Sequence, residues 1–404
     1  MIRPLPLPGA CRPGRGDAAF RRRRHPSRRK RAAIFLAGAL CWQILTFPLL
    51  ALADGPDQPA QAIQEVSATP PPQTGANLLV VPIPVINPTV GNGAVLVGAL
   101  FYQPVKGDRQ WVSGVGVLYT SNKDWALALA QQADLFDGRM RLAAFTGYGS
   151  FNLNFFGIGQ SAGLDGRSIR LNEKGGVAIA NALYRVAGNF YLGARYRFLL
   201  VNTSLAEPLF PNHPLLPDAQ FKTQISGLGP SFEYDTRNNE FTPRHGIYIN
   251  GQWLFDGGGL GSDFNYNKVT VAGNYYTSLD AKTVLALHAS LCNSSNDAPF
   301  YDLCFFGSQH DLRGYEAGQY RDHSMFAVQG ELRRALFWRF GVVGFAGLGA
   351  VAPSISELGQ ADPLPSVGVG LRFQPSKHIP VNVSVDYAWG KKSSGLYLYM
   401  GEAF

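Results

Sequence analysis

Three groups of residues in this 404-residue chain have types and spacings that chemistry uses. Gly159-Gln-Ser-Ala-Gly163 matches the G-x-S-x-G pattern of a nucleophile elbow, which works only at a sharp strand-to-helix turn with a histidine and an acid delivered nearby. Here the pentapeptide follows an aromatic stretch and precedes Leu164-Asp-Gly-Arg, which reads as loop. The seven histidines are scattered, and none forms an H-E-x-x-H pair. We expect no catalytic residues and no enzyme. Cys292 and Cys304 lie twelve positions apart without the Cys-x-x-Cys or neighbouring histidines of a metal site. In an exported chain they most simply form a disulfide closing a short loop, stabilising it by roughly 2 to 3 kcal/mol. No metal and no cofactor is expected. The third group is a charge in apolar company: Arg313 stands between Leu312 and Gly314, beside Tyr315, in a long segment separating two strand-like runs. What it holds depends on the elements around it.

Those elements begin with an export address. The net charge of +8 and a pI near 9.3 would ordinarily suggest a nucleic-acid partner. Eleven of the 36 basic residues, however, lie in the first 31 positions, followed by an apolar stretch from Ala32 to Leu50 and the A-x-A site Ala51-Leu-Ala53. Residues 1–53 read as a signal peptide cleaved near Ala53, and its removal leaves 25 basic against 27 acidic residues. The basicity belongs to export, and no nucleic acid is implied. Residues 54–76, rich in Pro and Gln, read as a disordered linker.

From residue 77 the chain alternates. Phe190, Leu192, Ala194, Tyr196, Phe198 and Leu200 share one phase, with Tyr191, Gly193, Arg195 and Arg197 on the other; Ile247, Ile249, Gly251, Trp253 and Phe255 repeat the pattern. Period two means strands with one apolar and one polar face. Runs of this length, aromatic at their ends and carrying arginines on the polar face, suit strands that cross a membrane around a hydrated interior. Arg195 and Arg197 then line that interior, either tuning permeation or pairing with carboxylates that plug it. Sixteen such runs can be counted, from 78–86 to 395–404, an even number that closes an antiparallel barrel without a free edge. The fold class is therefore all-β, a sixteen-stranded antiparallel transmembrane barrel over residues 77–404. Its last strand places Leu396, Leu398, Met400 and Phe404 on one phase, the form of a terminal assembly signal. Pro82 and Pro84 each remove a backbone donor from the first strand.

The stretch from Pro299 to Arg334, centred on Arg313-Gly314-Tyr315, resembles the signature loop and following strand of the BamA/TamA superfamily of outer-membrane assembly and translocation barrels, the bacterial surface antigen family. YDTRNNEFTPRHG at 234–246 resembles that family's turn after the eighth strand, LYLYMGEAF at 396–404 its terminal strand, and NFFGIGQSAG at 154–163 is a weaker match. The resemblance implies a loop between strands 11 and 12 inserted into the lumen and locked there by Arg313, with Gly314 and Tyr315. A planar guanidinium suits this role, since it can grip a carboxylate by two parallel hydrogen bonds while lying flat on an aromatic ring. The chain departs from the pattern at the partner. Where relatives often carry Phe-x-Asp-x-Gly, Phe345-Ala-Gly-Leu-Gly349 has Gly347 in the acidic place, which leaves Glu331 and Asp386 as candidates. A linker of 23 residues cannot hold the periplasmic domains of the larger relatives, so a short, barrel-only branch is expected. The resemblance further implies a Gram-negative outer-membrane location, contact with outer-membrane lipid and lipopolysaccharide, and a role in inserting or translocating a protein or lipid. An unfolded outer-membrane protein would be the substrate, with a separate periplasmic partner. A passive pore or structural barrel is the alternative.

Overall fold

The computed structural model describes residues 77–104, 111–206, 221–240, 242–375 and 382–404. The expected signal peptide (1–53) and linker (54–76) lie outside the described residues. Sixteen strands close into one antiparallel barrel. In chain order the wall comprises β1 (Asn77–Asn87), β2 (Gly91–Tyr102), β3 (Trp111–Thr120), β4 (Trp125–Leu135), β5 (Met140–Phe155), β6 (Ile169–Ala187), β7 (Phe190–Leu205), β8 (Phe221–Asp235), β9 (Gly246–Asp256), β10 (Tyr266–Ser278) and β11 (Thr283–Ser294). It continues with β14 (Ser324–Ala335), β15 (Phe340–Ala352), β16 (Leu364–Phe373), β17 (Val383–Gly390) and β18 (Ser393–Met400). Between β11 and β14, two-residue strands β12 (Cys304–Phe305) and β13 (Arg321–Asp322) pair with each other inside a long loop. That loop follows the eleventh wall strand. A short helix, α1 (Gln160–Asp165), lies between β5 and β6.

Alternation decides which face meets what. In β16, Val367, Val369 and Leu371 are 56%, 57% and 62% exposed, while Ser366, Gly368, Gly370 and Arg372 between and beside them are buried. Large apolar side chains that point outward in this way need lipid around them, and the ladder pairs the backbone of each strand with its neighbours, the β1–β18 contact being the shortest of them. No helix among the described residues is long and apolar enough to cross a membrane; the strands do so instead.

Both chain ends of the wall, the start of β1 and the end of β18, fall at one end of the barrel, where the turns at 136–139, 188–189, 279–282 and 336–339 are short. The long loop 295–323 lies at the other end, and α1 with it. Long loops mark the outer side of such barrels and short turns the periplasmic side.

The terminal strand differs from expectation at its tip. Leu396 faces outward, but Met400 is buried and Phe404 does not continue the row. Gly401 takes φ +82°, a left-handed conformation that only glycine adopts without strain, and turns the last residues into the barrel. Glu402 is drawn in by Arg372 Nε at 2.8 Å and Asn382 Nδ2 at 2.6 Å, and the Phe404 ring stacks on His288 of β11 with centroids 5.1 Å apart.

The lipid-facing assignment of β16 is testable. Val369→Arg, near mid-strand and pointing outward, should cost about 2 to 4 kcal/mol in a urea titration of the barrel folded into liposomes. Glutamine at an exposed loop position such as Glu357 should change little.

Candidate functional site

The loop 295–323 is fastened at three places. The first is covalent: a disulfide joins Cys304 in β12 to Cys292 on the inner face of β11, with Cα atoms 5.7 Å apart. Around it Phe306, Leu312, Tyr315 and Tyr320 of the loop pack with Met325, Ala327, Val351 and Leu364 of the wall into an apolar cluster. Phe306 and Tyr320 stack at 5.8 Å, and Tyr315 meets both edge-on.

The second fastening is Arg313, which is fully buried. Its Nη2 pairs with Glu331 of β14 and its Nη1 with Asp386 of β17, both carboxylates being fully buried as well. Nε donates to Gln329 Oε1 at 2.9 Å, and the guanidinium lies 3.6 Å from the centroid of the Phe345 ring. Burial works against charging Arg313, but Glu331 and then Asp386 outweigh it and hold its pKa above the ordinary guanidinium value. The network continues through the wall. Arg372 bridges Asp386 to Glu402, and Arg333 bridges Glu331 to Glu402 and to the Phe404 carbonyl. Three arginines thus meet three carboxylates.

Gly314 and Tyr315 complete the dock. Gly314 has φ +105°, and a Cβ there would stand 2.9 Å from the Trp389 carbonyl carbon and 3.0 Å from Gly390 N, so only glycine fits. Its N–H donates to Tyr397 Oη at 3.0 Å, while Tyr315 Oη donates to the Pro365 carbonyl and accepts from Lys391 N. Ser366 Oγ donates to the Arg313 carbonyl.

The departure at Gly347 has a steric reason. A Cβ on Gly347 would approach Leu312 Cδ1 to 2.7 Å, and one on Gly349 would meet Leu312 Cδ2 at the same distance. Leu312 fills the space where relatives often place an acid, and the carboxylates come from β14 and β17 instead. Both candidates named from the sequence approach the arginine. Gln329 and Tyr399, which also touch it, carried no sequence signal of their own.

The third fastening was not legible. Asp302, two residues before Cys304, is buried between Arg197 of β7, which donates through Nη1 at 2.9 Å and Nη2 at 2.7 Å, and Lys268 of β10, whose Nζ is 3.3 Å away. Arg197 also reaches Asp256 of β9 at 3.1 Å, and Tyr266 donates to Asp302. Burial opposes ionisation of Asp302, but Arg197 and then Lys268 reverse it and keep its carboxyl below the usual range. The sequence marked Arg197 as inward-facing and gave two uses for it; the partner lies 105 residues away.

The remaining candidates fall elsewhere. Ser161 is exposed on α1, and Gly163 is the buried residue of that helix, a Cβ on it standing 2.5 Å from the Gln319 carbonyl. GQSAG therefore serves close packing against the loop. His310 Nδ1 donates to the Ala403 carbonyl, and no cluster of metal-holding side chains occurs among the described residues.

Arg313→Ala leaves three buried carboxylates to share the two remaining arginines, Arg333 and Arg372, and should cost about 3 to 5 kcal/mol of stability against denaturant, with trypsin cutting the loop in the folded barrel. Arg313→Lys should not restore resistance, since a point charge cannot span Glu331, Asp386 and Gln329 together. Asp302→Asn should also expose the loop, without touching the Arg313 network. Because the folded carboxyl of Asp302 is depressed, its contribution is complete above the ordinary value of about 3.9 and lost only as pH falls through the lower folded value. The loss of protease resistance caused by Asp302→Asn should accordingly be the same at pH 7 and pH 5.

The Omp85 superfamily domain matches residues 172–404. The described residues upstream of that match, 77–104 and 111–171, are strands, turns and one short helix of the same barrel. Among solved structures, the chain is similar to BamA from Haemophilus ducreyi lacking POTRA domains 1-3, at 15% identity and a TM-score of 0.57, with 81% of this chain and 70% of that one covered. CdiB from Acinetobacter baumannii is similar at 13% identity and TM-score 0.53, covering 81% and 60%, and CdiB from Escherichia coli at 11% and 0.55, covering 82% and 63%. The chain thus spans less than two thirds of either CdiB. No curated protein sequence matches it. A domain matching more than half the chain and a closed sixteen-stranded wall agree on an outer-membrane barrel, and the chain belongs to the Omp85 superfamily.

Proposed function

We propose that this barrel assists the insertion of protein or lipid into the outer membrane, or translocation across it, through the seam between β1 and β18. The seam is the observation that carries the reading. Every other neighbouring pair in the wall is registered over at least seven residue pairs, whereas β1 and β18 share only Ile86↔Leu398. The reason is geometric. In that register residues 77–83 of β1 would face positions beyond Met400, where the chain has already turned inward at Gly401. The lower half of β1 is left with an open edge, paired to β2 alone. Pro82 and Pro84 point their missing donors to the same side and discourage indiscriminate pairing. An unpaired strand edge inside a membrane wall is a template on which an incoming strand can add.

Three fastenings hold the loop across the interior, so the reading routes the substrate laterally. It involves no bond chemistry and needs no cofactor. Its partners are an unfolded outer-membrane protein and a periplasmic protein that delivers it. Residues 1–53 act as the cleaved export signal and 54–76 as a spacer.

Cysteines placed at Ile86 and Leu398 and oxidised to a cross-link should abolish insertion of a reporter barrel into liposomes, with recovery on reduction. Full insertion by the cross-linked protein would exclude the seam as the route. Steady conductance in planar bilayers with no insertion by the uncross-linked protein would favour a passive pore.

A further inference from the structure

The periplasmic end of the wall carries a cleft of about 230 Å³ beneath β14, β15 and β16, bordering the Arg313 network through Arg333, Arg372 and Glu402. It gathers Arg244, Lys282, Arg333, Arg334, Arg339 and Arg372, and Glu402 is the one acid lining it among the described residues. Part of this charge is already matched. Arg372 is held by Asp386 and Glu402, Arg333 by Glu331, and Arg334 stands 3.6 Å from Asp280. The rest is not. Arg244 donates to the carbonyls of Asp280 and Ala281 and Arg339 to that of Pro375, and neither they nor Lys282 has a carboxylate partner among the described residues.

Two nitrogens in the cleft point to a missing acceptor. Arg333 is 7% exposed, and its Nη1 is buried without a hydrogen-bond partner; so is Nε of Arg339. A buried donor left unpaired is costly, and a charged one more so. A group with several anionic oxygens supplies the acceptors such nitrogens lack, and guanidinium forks pair well with phosphate.

The rim says how that phosphate arrives. The β14–β15 hairpin presents Phe337 and Trp338 at 70% and 69% exposure, and Trp338, Phe340 and Phe373 form a ring cluster with centroids 5.1 to 5.9 Å apart. Trp338 takes φ +52°, a left-handed conformation that is strained for a bulky residue and that glycine or asparagine would adopt freely. An aromatic kept at such a site, at the level where the wall leaves the hydrocarbon, is placed to sit in the lipid interface. We propose that the cleft binds the phosphate of an anionic phospholipid, whose acyl chains lie against Trp338, Phe340 and Phe373. This assignment is independent of the seam.

The test uses the full barrel in neutral detergent, titrated with dihexanoyl phosphatidylglycerol or dihexanoyl phosphatidylcholine and followed by native mass spectrometry. The wild type should retain the glycerol lipid at about tenfold lower concentration than the choline lipid, because the cleft holds cations without carboxylate partners. The Arg339→Gln, Lys282→Gln double variant should lose that preference while keeping heat-modifiable migration. Trp338→Gly, which relieves the turn and so keeps the fold, should weaken retention of both lipids several-fold. Equal retention of the two lipids by the wild type, or an unchanged preference in the double variant, would overturn the proposal. Saturable binding of inorganic phosphate, or of an acidic C-terminal peptide, without preference for the glycerol lipid would overturn it as well.

Discussion

A single guanidinium inside the barrel sets the conditions that the rest of the structure meets. Arg313 could not be carried into a low-dielectric interior alone, and neither could Glu331 or Asp386. Brought together they are tolerable, but only in the one arrangement where the fork reaches both acids and the flat face covers Phe345. Buried ion pairs of this kind are weak contributors to net stability and strong selectors of geometry. The loop is held less by the strength of the network than by the expense of every other position. Gly314, Gly390 and Ser366 follow from this, because the backbone must come within contact distance of β16 and β17 for the side chain to arrive.

The second network, around Asp302, applies the same logic at another part of the wall. Its cations come from β7 and β10, whereas the acids that hold Arg313 come from β14 and β17. The loop offers an anion at one place and a cation at another, and the wall is complementary at each. With the disulfide to β11 between them, the segment cannot slide or flip without breaking at least one pair.

How far the chain could be read depended on the range of each interaction. Strand alternation is local, so the wall, its sixteen members and the outward Ile247–Phe255 row were legible from period two alone. Arg313 was legible because a short motif surrounds it, and its two acids were legible as the remaining inward carboxylates on the late strands. Asp302 was missed because its meaning lies in Arg197, far along the chain, and nothing local distinguishes it from a solvated loop acid. The inward turn at Gly401 was missed for a related reason. A glycine near a terminus is unremarked until one sees that Arg372 and Asn382 wait for the next residue. Likewise Gly347 read as the loss of an acid, when it is the room made for Leu312.

The two edges of the seam are mechanically unlike. β18 is stiffened from within, since Tyr397 and Tyr399 are bonded to the docked loop. β1 is paired with β2 throughout, but its ties on the seam side lie near its top, where Thr89 in the following turn accepts from Ala317 N at 3.0 Å and Ile86 meets Leu398. Below Pro84 its seam edge has no registered partner on β18. If the wall parts at this seam as proposed, the parting starts at the periplasmic rim, where β1 has no registered partner on β18.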